Sequence, residues 1–343
     1  MIFDYIIVGQ GIAGTILALQ LIEKEYKILV IDEESEISSS KIAAGIYNPI
    51  VFKRFSESWM ANILIPYATE FYKKNESLFN ASFLVEKPIA KLINKEEFDF
   101  LSSKRKNFDY IKNLTKFPLY ENHLKENFGS VTLNSCGWLN TKNFLEHSKN
   151  YLISQNAFYS SKIDYKKIEI GEWITYENFK ARNIIFCEGF KAQQNPFFPN
   201  LPFKLTKGEV LTIEIDDFKP EEIINKNFYL VHLKDNIFKV GATYNWDDIS
   251  EKTSEAGKNE LIEKLKSLLK VEFKIIDHQA SVRPTVIDRR PLMGQHTEFK
   301  NLFIFNGLGT KGVMIAPYFA SEMIRFLSGE TTLNLELIWN RRF

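Results

Sequence analysis

Three glycines near the N-terminus have the spacing that binds phosphate groups. Gly9, Gly11 and Gly14 form a GxGxxG pattern directly after the buried-strand pattern of residues 6–8. The first glycine allows a tight turn, the second lets backbone approach a pyrophosphate, and the third lets a helix pack closely on the strand. The helix that begins at Ile12 then offers free N–H groups and its positive dipole end. We therefore expect a dinucleotide site here rather than a purely structural turn.

Two acidic residues follow the next strand. Residues 28–31 are apolar, and Asp32 and Glu33 come directly after them, with Asp32 18 residues beyond Gly14. A carboxylate at this point accepts hydrogen bonds from the adenosine ribose hydroxyls. Strand, helix and strand complete one βαβ unit, whose helix begins with Ile12 and Ala13. This pattern does not separate FAD from NAD.

A second glycine-rich turn lies near the C-terminus. It follows an apolar strand at residues 302–305 and precedes a helix expected from about Ala316 to Leu327. Such a turn is able to approach the flavin end of an extended dinucleotide, which a plain NAD dehydrogenase does not need. The alternative is an ordinary strand-to-helix turn. Its residues are Gly307, Leu308, Gly309, Thr310, Lys311 and Gly312.

The middle of the chain has a different periodicity. Residues 83–93 and 204–245 alternate as strands do, and residues 229–240 form a hairpin around a short polar turn. A helix carrying Leu261 and Leu265 is expected to cover this sheet, and residues 59–74 have helical spacing. Residues 183–187 return to a buried-strand pattern. The sequence thus predicts a nucleotide-binding sheet made of separated segments, with an antiparallel sheet inserted between them.

Composition excludes several classes of protein. The 343 residues include 44 Lys and Arg against 43 Asp and Glu, a net charge of +1 that gives no general attraction for nucleic acid. The cluster Lys104-Arg105-Lys106 is interpreted as a solvated helix face. Cys136 and Cys187 are too few for a disulfide framework or a zinc site, so no metal is expected. Neither a signal peptide nor a membrane span is apparent, and we expect a cytoplasmic protein without a membrane partner.

Ordered motifs over nearly the whole chain resemble the D-amino acid oxidase–glycine oxidase (DAO) family of FAD-dependent oxidoreductases. After the first glycine turn come the serine-plus-Ala-Ala-Gly segment at 38–45, then Gly137-Trp138-Leu139-Asn140, residues 184–189, Lys207-Gly208-Glu209, residues 240–243, residues 283–288 and the turn at 307–312. The resemblance implies an α/β (α+β) fold. It combines a Rossmann-like FAD-binding domain of the glutathione-reductase type, at 1–82, 138–203 and 286–343, with an inserted antiparallel-sheet substrate domain at 83–137 and 204–285.

The resemblance also implies which residues contact the cofactor besides the two glycine turns. The segment beside the flavin corresponds to Ser39, Ser40, Ala43, Ala44 and Gly45. Gly189 ends the next strand on the cofactor side. Relatives with covalent flavin carry a cysteine near position 281 or a histidine before the Ala-Ala-Gly segment. Here those positions hold Ser281 and Ile42, so we expect non-covalent FAD.

For the substrate, the resemblance to glycine oxidases implies that Arg283 pairs with a carboxylate, assisted by Tyr229, with Tyr244 on the pocket wall. A guanidinium suits this role because its fork binds a carboxylate bidentately. The alternatives are a structural ion pair between Arg283 and Asp288 and plain strand packing of the tyrosines.

Two departures concern the substrate. The C-terminal turn, with Lys311, is closer to the FAD domain of the bifunctional tRNA wobble-uridine-modifying enzyme, which has arginine at that position. Lys311 is expected either to stabilise the reduced flavin or to lie at the surface. Residues 47–49 with Lys53 and Arg54 also differ from glycine oxidases and are expected to shape a different pocket entrance.

The resemblance therefore predicts oxidation of the C–N bond of a small amino acid or secondary amine by hydride transfer to flavin N5, giving an imine that hydrolyses. One alternative is removal of a carboxymethyl group from modified tRNA uridine, which the neutral charge disfavours. Another is a flavin-binding protein without catalytic activity. The electron acceptor and the oligomeric state are left open.

Overall fold

A computed structural model describes residues 2–52, 54–104 and 109–341. This description does not include Lys53, Arg105, Lys106 or the side chain of Lys104. It also does not include residues 1, 342 and 343, at the two ends of the predicted FAD-binding ranges. Within the described ranges, the helices are Ile12–Glu23, Ser39–Ile42, Ala61–Phe79, Lys95–Lys104, Thr141–Ser154, Glu255–Leu268 and Gly312–Leu327.

The first large sheet has a parallel centre. Its eight strands are Ile2–Val8, Ile28–Asp32, Phe158–Ser160, Ile168–Ile170, Ile174–Tyr176, Phe179–Phe186, Leu292–Gln295 and Leu302–Asn306. Residues 2–8 pair in parallel with residues 28–32 on one side and 179–186 on the other, and the latter strand pairs in parallel with 302–306. The carboxyl ends of parallel strands meet at one edge of a sheet. Both glycine turns therefore lie at the same edge, as the separated segments predicted.

The second large sheet is mostly antiparallel. Its eight strands are Ile89–Ile93, Ile111–Thr115, Gly129–Leu133, Thr206–Glu214, Ile223–Asn225, Tyr229–Lys234, Ile237–Gly241 and Lys274–Arg283. Leu261 and Leu265 of the helix Glu255–Leu268 pack on one face against Leu211 and Phe238, as expected. Since side chains alternate between faces, residues 208, 210 and 229 point to the opposite face, which lines the cavity described below.

Two small sheets complete the described structure. One consists of Ile46–Tyr47, Gly137–Leu139 and Leu84–Glu86, and the other of Ile50–Val51 and Ser56–Glu57. The three-stranded sheet joins strands from both sets of predicted domain ranges, so these boundaries remain a prediction. The α/β fold class is confirmed.

Several element boundaries differ from their predicted positions. The last helix begins at Gly312, about one turn before Ala316, because the second glycine turn runs directly into it. The predicted strand at 83–93 is two strands in different sheets, separated at Lys87 and Pro88. In the part of the chain described, none of the helices combines the length and apolar character that crossing a bilayer requires.

Candidate active site

The N-terminal glycine turn has the geometry of a phosphate cradle. Gly9 has φ +103°, and a Cβ there would lie 2.6 Å from the carbonyl oxygen of Cys187. At Gly14 a Cβ would lie 1.9 Å from the carbonyl oxygen of Gly9, so only glycine lets this helix approach its strand. Gly11 and Ala13 line a cavity of about 970 Å³. The turn therefore places the amino end of a helix directly on the cavity wall.

Ser40 and Asp32 fix the two sides of this turn. The backbone N–H of Ile12 donates to Oγ of Ser40 (3.0 Å). The Asp32 carboxylate accepts from the N–H of Gln10 (2.7 Å) and of Glu34 (2.7 Å). Asp32 also lines the cavity, so its remaining lone pairs are available to ribose hydroxyls.

Glu33 is fixed differently from Asp32. Its carboxylate pairs with the ammonium of Lys191, and both side chains line the cavity. Glu188 is a third acid on this part of the wall, and it accepts from the hydroxyl of Tyr165 (2.5 Å) and from Asn195 (2.8 Å). Burial raises the pKa of Glu188 to about 7. The raised pKa lowers the ionised fraction of this carboxyl near neutral pH relative to an exposed glutamate.

The remaining predicted cofactor residues lie along the same cavity, with one exception. Gly307 is absent from the wall. A Cβ there would lie 2.7 Å from Val286, so Gly307 serves close packing beneath the turn. Like Gly14, it supports the wall without forming it. The residues on the wall are Ser39, Ser40, Ala43, Ala44, Gly45, Gly189, Leu308, Gly309, Thr310, Lys311 and Gly312.

These features fit a flavin dinucleotide. The first helical turn has N–H groups without an intrahelical acceptor, and Ser40 accepts only that of Ile12. Donors at Gly11 and Ala13 are therefore left for a pyrophosphate. The same cavity continues from the ribose-side carboxylate Asp32 to Arg283. An extended cofactor bound at the glycine turn thus has room to reach the second sheet.

Arg283 is placed for binding an anion. Its guanidinium lies flat against Gly208, where a Cβ would come within 1.9 Å of Nη2, and 4.8 Å from the ring centre of Tyr244. Nη1 donates to the carbonyl of Thr243 at 3.4 Å, and no carboxylate among the described residues pairs with the guanidinium. Burial lowers the pKa of Arg283. The side chain thus carries a partly buried positive charge without a negative partner among the described residues.

The alternative role of Arg283 in a structural ion pair is wrong. Asp288 pairs instead with Arg341, whose Nε lies 2.8 Å from Oδ2 and whose Nη2 lies 2.9 Å from Oδ1. This bidentate contact occupies both oxygens of Asp288 and leaves Arg283 on the cavity wall.

Tyr229 also lines the cavity, and its hydroxyl has a fixed orientation. Asn48 donates from Nδ2 to the hydroxyl oxygen of Tyr229 (3.0 Å) and accepts at Oδ1 from the N–H of Ile50 (3.2 Å). Because that N–H can only donate, it identifies which end of the Asn48 amide is oxygen. The hydrogen of the Tyr229 hydroxyl is then free to donate into the cavity.

Tyr244 and Lys311 occupy opposite environments. The Tyr244 side chain is 55% exposed and covers one face of Arg283. Lys311 does not lie at the surface, because its ammonium donates to Oγ of Ser58 and its side chain lines the cavity. Burial, followed by the charge of Arg289, lowers the pKa of Lys311 to about 8. Both residues are brought to the cavity that holds Arg283 and Tyr229.

Sequence reasoning missed several residues of this wall. The sequence predicts only a role at the pocket entrance for Asn48, and it gives no prediction for Lys91, Asn225 and Glu188. Their only signal was a polar residue inside an apolar strand or just beyond it. The sequence also gives no prediction for Lys239. Its ammonium, on the second sheet, donates a hydrogen bond of 2.9 Å to the carbonyl of Ile42.

Comparisons with known proteins show what the chain as a whole is similar to. The chain is 23% identical over 355 residues to the tRNA 5-methylaminomethyl-2-thiouridine biosynthesis bifunctional protein MnmC of Idiomarina loihiensis, covering 96% of this chain but 56% of that protein. Its fold is similar to that of glycine oxidase from Geobacillus kaustophilus (TM-score 0.83, 19% identity, 100% of this chain and 99% of that one). Iminodiacetate oxidase from Chelativorans sp. BNC1 is similar as well (TM-score 0.81, 16% identity, 97% and 98%).

At these identities the structural likenesses show the fold. The family itself is shown by the sequence profile of the FAD-dependent oxidoreductases, which matches residues 4–325. At the two positions where relatives attach flavin covalently, this chain has Ser281 and Ile42, which carry neither a thiol nor an imidazole. The chain therefore belongs to the DAO family of FAD-dependent oxidoreductases, with FAD as its non-covalent cofactor.

Proposed function

We propose that this enzyme oxidises the C–N bond of a small amino acid or secondary amine that carries a carboxylate. The observation that carries the proposal is Arg283, a partly buried guanidinium on the cavity wall without an acidic partner in the described chain. Burying an unpaired charge is costly, and a bound carboxylate would remove that cost. Relatives named as oxidases of glycine and of iminodiacetate support a carboxylate-bearing amine.

The residues of the wall would orient this substrate. Arg283 would hold the carboxylate through two parallel hydrogen bonds, and Tyr229 would donate a third. Tyr244 would keep the guanidinium flat by covering its outer face. FAD, when bound, supplies the hydride acceptor at flavin N5, and the imine formed from the amine hydrolyses in water. Lys311 would stabilise negative charge that develops nearby, so orientation and electrostatics are the main contributions of the chain.

The net charge of +1 favours a small molecule over tRNA. Two lysines of the cavity wall are neutralised within the chain, Lys191 by Glu33 and Lys91 by Glu97. Binding a nucleic acid backbone instead needs cations free to contact phosphates. The likeness to the tRNA-modifying protein spans 56% of that protein, which leaves its activity outside this proposal.

The test is anaerobic bleaching of the flavin by glycine, sarcosine, larger amino acids and modified tRNA. Replacing Arg283 with Ala should raise KM for the best amine about 100-fold or more, since losing one partner of a buried ion pair costs about 3 kcal/mol or more. The matched control is Arg182→Ala, because the Arg182 side chain is 68% exposed.

Three results would contradict the proposal. An unchanged KM in Arg283→Ala would remove the carboxylate role, and bleaching by modified tRNA alone would favour the macromolecular substrate. Failure of every amine to bleach the flavin-loaded protein would indicate a non-catalytic flavin-binding protein.

A further inference from the structure

A partly buried lysine, Lys239, belongs to the face of the second sheet that is turned towards the cavity. Its neighbours along the strand, Phe238 and Val240, pack on the opposite face beneath the covering helix. Gly241 shares the face of Lys239 and lines the cavity, whereas Lys239 is set back from the wall. Burial lowers the pKa of Lys239 to about 8, and no carboxylate among the described residues pairs with its ammonium. A buried charge of this kind needs another partner.

The partner of Lys239 is a main-chain carbonyl. Its Nζ donates to the carbonyl oxygen of Ile42 at 2.9 Å. Ile42 is the last residue of the short helix Ser39–Ile42, where carbonyl groups have no donor within the helix. The chain becomes extended directly afterwards, at Ala43 (φ −49°, ψ 144°), and continues along the cavity wall. The hydrogen bond therefore holds the point at which the chain turns to follow the wall.

Two further hydrogen bonds hold the same segment. The N–H of Ile12 donates to Oγ of Ser40 (3.0 Å), and Oγ1 of Thr141 donates to the carbonyl of Ala43 (3.4 Å). Both donors belong to the first residues of helices that share a hydrophobic core with the first sheet. Lys239 supplies the corresponding contact from the second sheet. The segment is thus held from both large sheets.

The strand of Lys239 lies between two strands that carry the substrate side of the cavity. It pairs with the strand of Gly208 on one side and with the strand of Tyr229 on the other. The guanidinium of Arg283 lies against Gly208. Movement of the Ile42 carbonyl relative to Lys239 is therefore movement relative to both groups that would bind the carboxylate.

We propose that Lys239 is a positioning residue that sets the spacing between the flavin and the substrate carboxylate. This inference rests on the proposed function, with the flavin beside residues 43–45 and the carboxylate on Arg283. Hydride transfer needs reacting atoms about 3–3.5 Å apart, and a misplacement of about 1 Å costs about 100-fold in rate. Without the donor, the segment before Ala43 loses this contact with the second sheet. The flavin then lies at a changed distance from an unchanged carboxylate site.

The experiment uses Lys239→Met, which keeps the length of the side chain and removes the donor. Because burial disfavours the charge, its loss should leave the variant folded. Flavin reduction is followed anaerobically with whichever of glycine, sarcosine and larger amino acids reduces wild type fastest, and rates are expressed per bound flavin. We expect the limiting rate to fall about 10-fold or more while KM stays within about 2-fold, since Arg283 and Tyr229 are unchanged. The visible circular dichroism of bound FAD, recorded without substrate, should change as well.

Lys234→Met is the matched control, because Lys234 is exposed at the end of the neighbouring strand and should behave as wild type. Lys239→Leu also lacks the donor, and it repeats the test if the methionine variant does not fold.

A wild-type limiting rate, a raised KM or a wild-type dichroism spectrum in Lys239→Met would each overturn the positioning role. Loss of FAD binding in both variants would do so too, because the lysine would then be needed for binding rather than for spacing. These results leave the Arg283-dependent oxidation standing. Absence of flavin reduction by any amine in wild type would instead overturn the proposed function, and this inference with it.

Discussion

Replacing Asn48 with Asp should turn the Tyr229 hydroxyl away from the substrate. Asn48 is 7% exposed and donates to the hydroxyl oxygen of Tyr229 at 3.0 Å, while the N–H of Ile50 fixes its other end. Aspartate has nearly the same shape but, when ionised, no donor. The Tyr229 hydroxyl would then donate to the new carboxylate, and its hydrogen would no longer be available to a ligand.

The expected loss is one hydrogen bond to a charged group. Such a bond contributes about 1.5–3 kcal/mol, which corresponds to about 10- to 150-fold in KM for the carboxylate-bearing amine. Tyr229→Phe removes the same bond and should lose a similar amount. Because both changes act on one hydrogen, the double variant should be little worse than Tyr229→Phe alone.

The assay is anaerobic flavin reduction over a range of substrate concentrations, with KM and the limiting rate determined separately. Asn113→Asp is the control for the added charge on an exposed part of the same protein. A wild-type KM in Asn48→Asp together with a raised KM in Tyr229→Phe would refute the orientation argument. Fully additive losses in the double variant would do so as well, because Asn48 would then act independently of the hydroxyl.

Three further perturbations test other parts of the site. Gly208→Ala places a Cβ 1.9 Å from Nη2 of Arg283 and displaces the guanidinium, so it should raise KM while FAD stays bound. The rise should be smaller than in Arg283→Ala, because the displaced guanidinium is the flexible end of its side chain. Gly171→Ala, whose nearest atom is 3.7 Å away, should change neither KM nor FAD binding. Lys311 has a pKa lowered from 10.5 to about 8, so unfolding takes up a proton between these values, and the stability of the flavin-free protein should rise from about pH 8 to 10.5. Lys311→Met should abolish that rise and increase the free energy of unfolding below pH 8 by up to about 3 kcal/mol, less where solvent screens the charge. The measurement is chemical denaturation over this pH range, and an unchanged pH profile would contradict the lowered pKa. Acid precipitation should release intact flavin into the supernatant, and flavin retained on the denatured chain would contradict non-covalent binding.

Local patterns were sufficient for the cofactor half of the fold. The GxGxxG turn, the strands on either side and the helix from Ile12 to Glu23 are all specified by neighbouring residues. Their geometry follows from hard steric limits, as at Gly14, where a side chain does not fit. The hairpin at residues 229–240 was predictable for the same reason.

The partners of side chains were not predictable in this way. Asp288 lies five residues from Arg283 and is the alternative partner that the sequence leaves open, but it binds Arg341, 53 residues away. Asn48 and Tyr229 are 181 residues apart in sequence and meet through one hydrogen bond. The hydrophobic periodicity of the sequence does not predict such a contact, because the contact depends on how the two sheets pack together.

A dinucleotide-binding turn, a family resemblance and a candidate cation at position 283 are all legible in the amino-acid sequence. Those features are local or ordered along the chain, so they survive without coordinates. Only the packed chain shows that Arg283 is partly buried on the cavity wall and that Asn48 orients the Tyr229 hydroxyl. The same holds for the lack of an acidic partner of Arg283 among the described residues. Burial and hydrogen-bond satisfaction are properties of the packed chain, because they depend on which distant segments exclude water from each group.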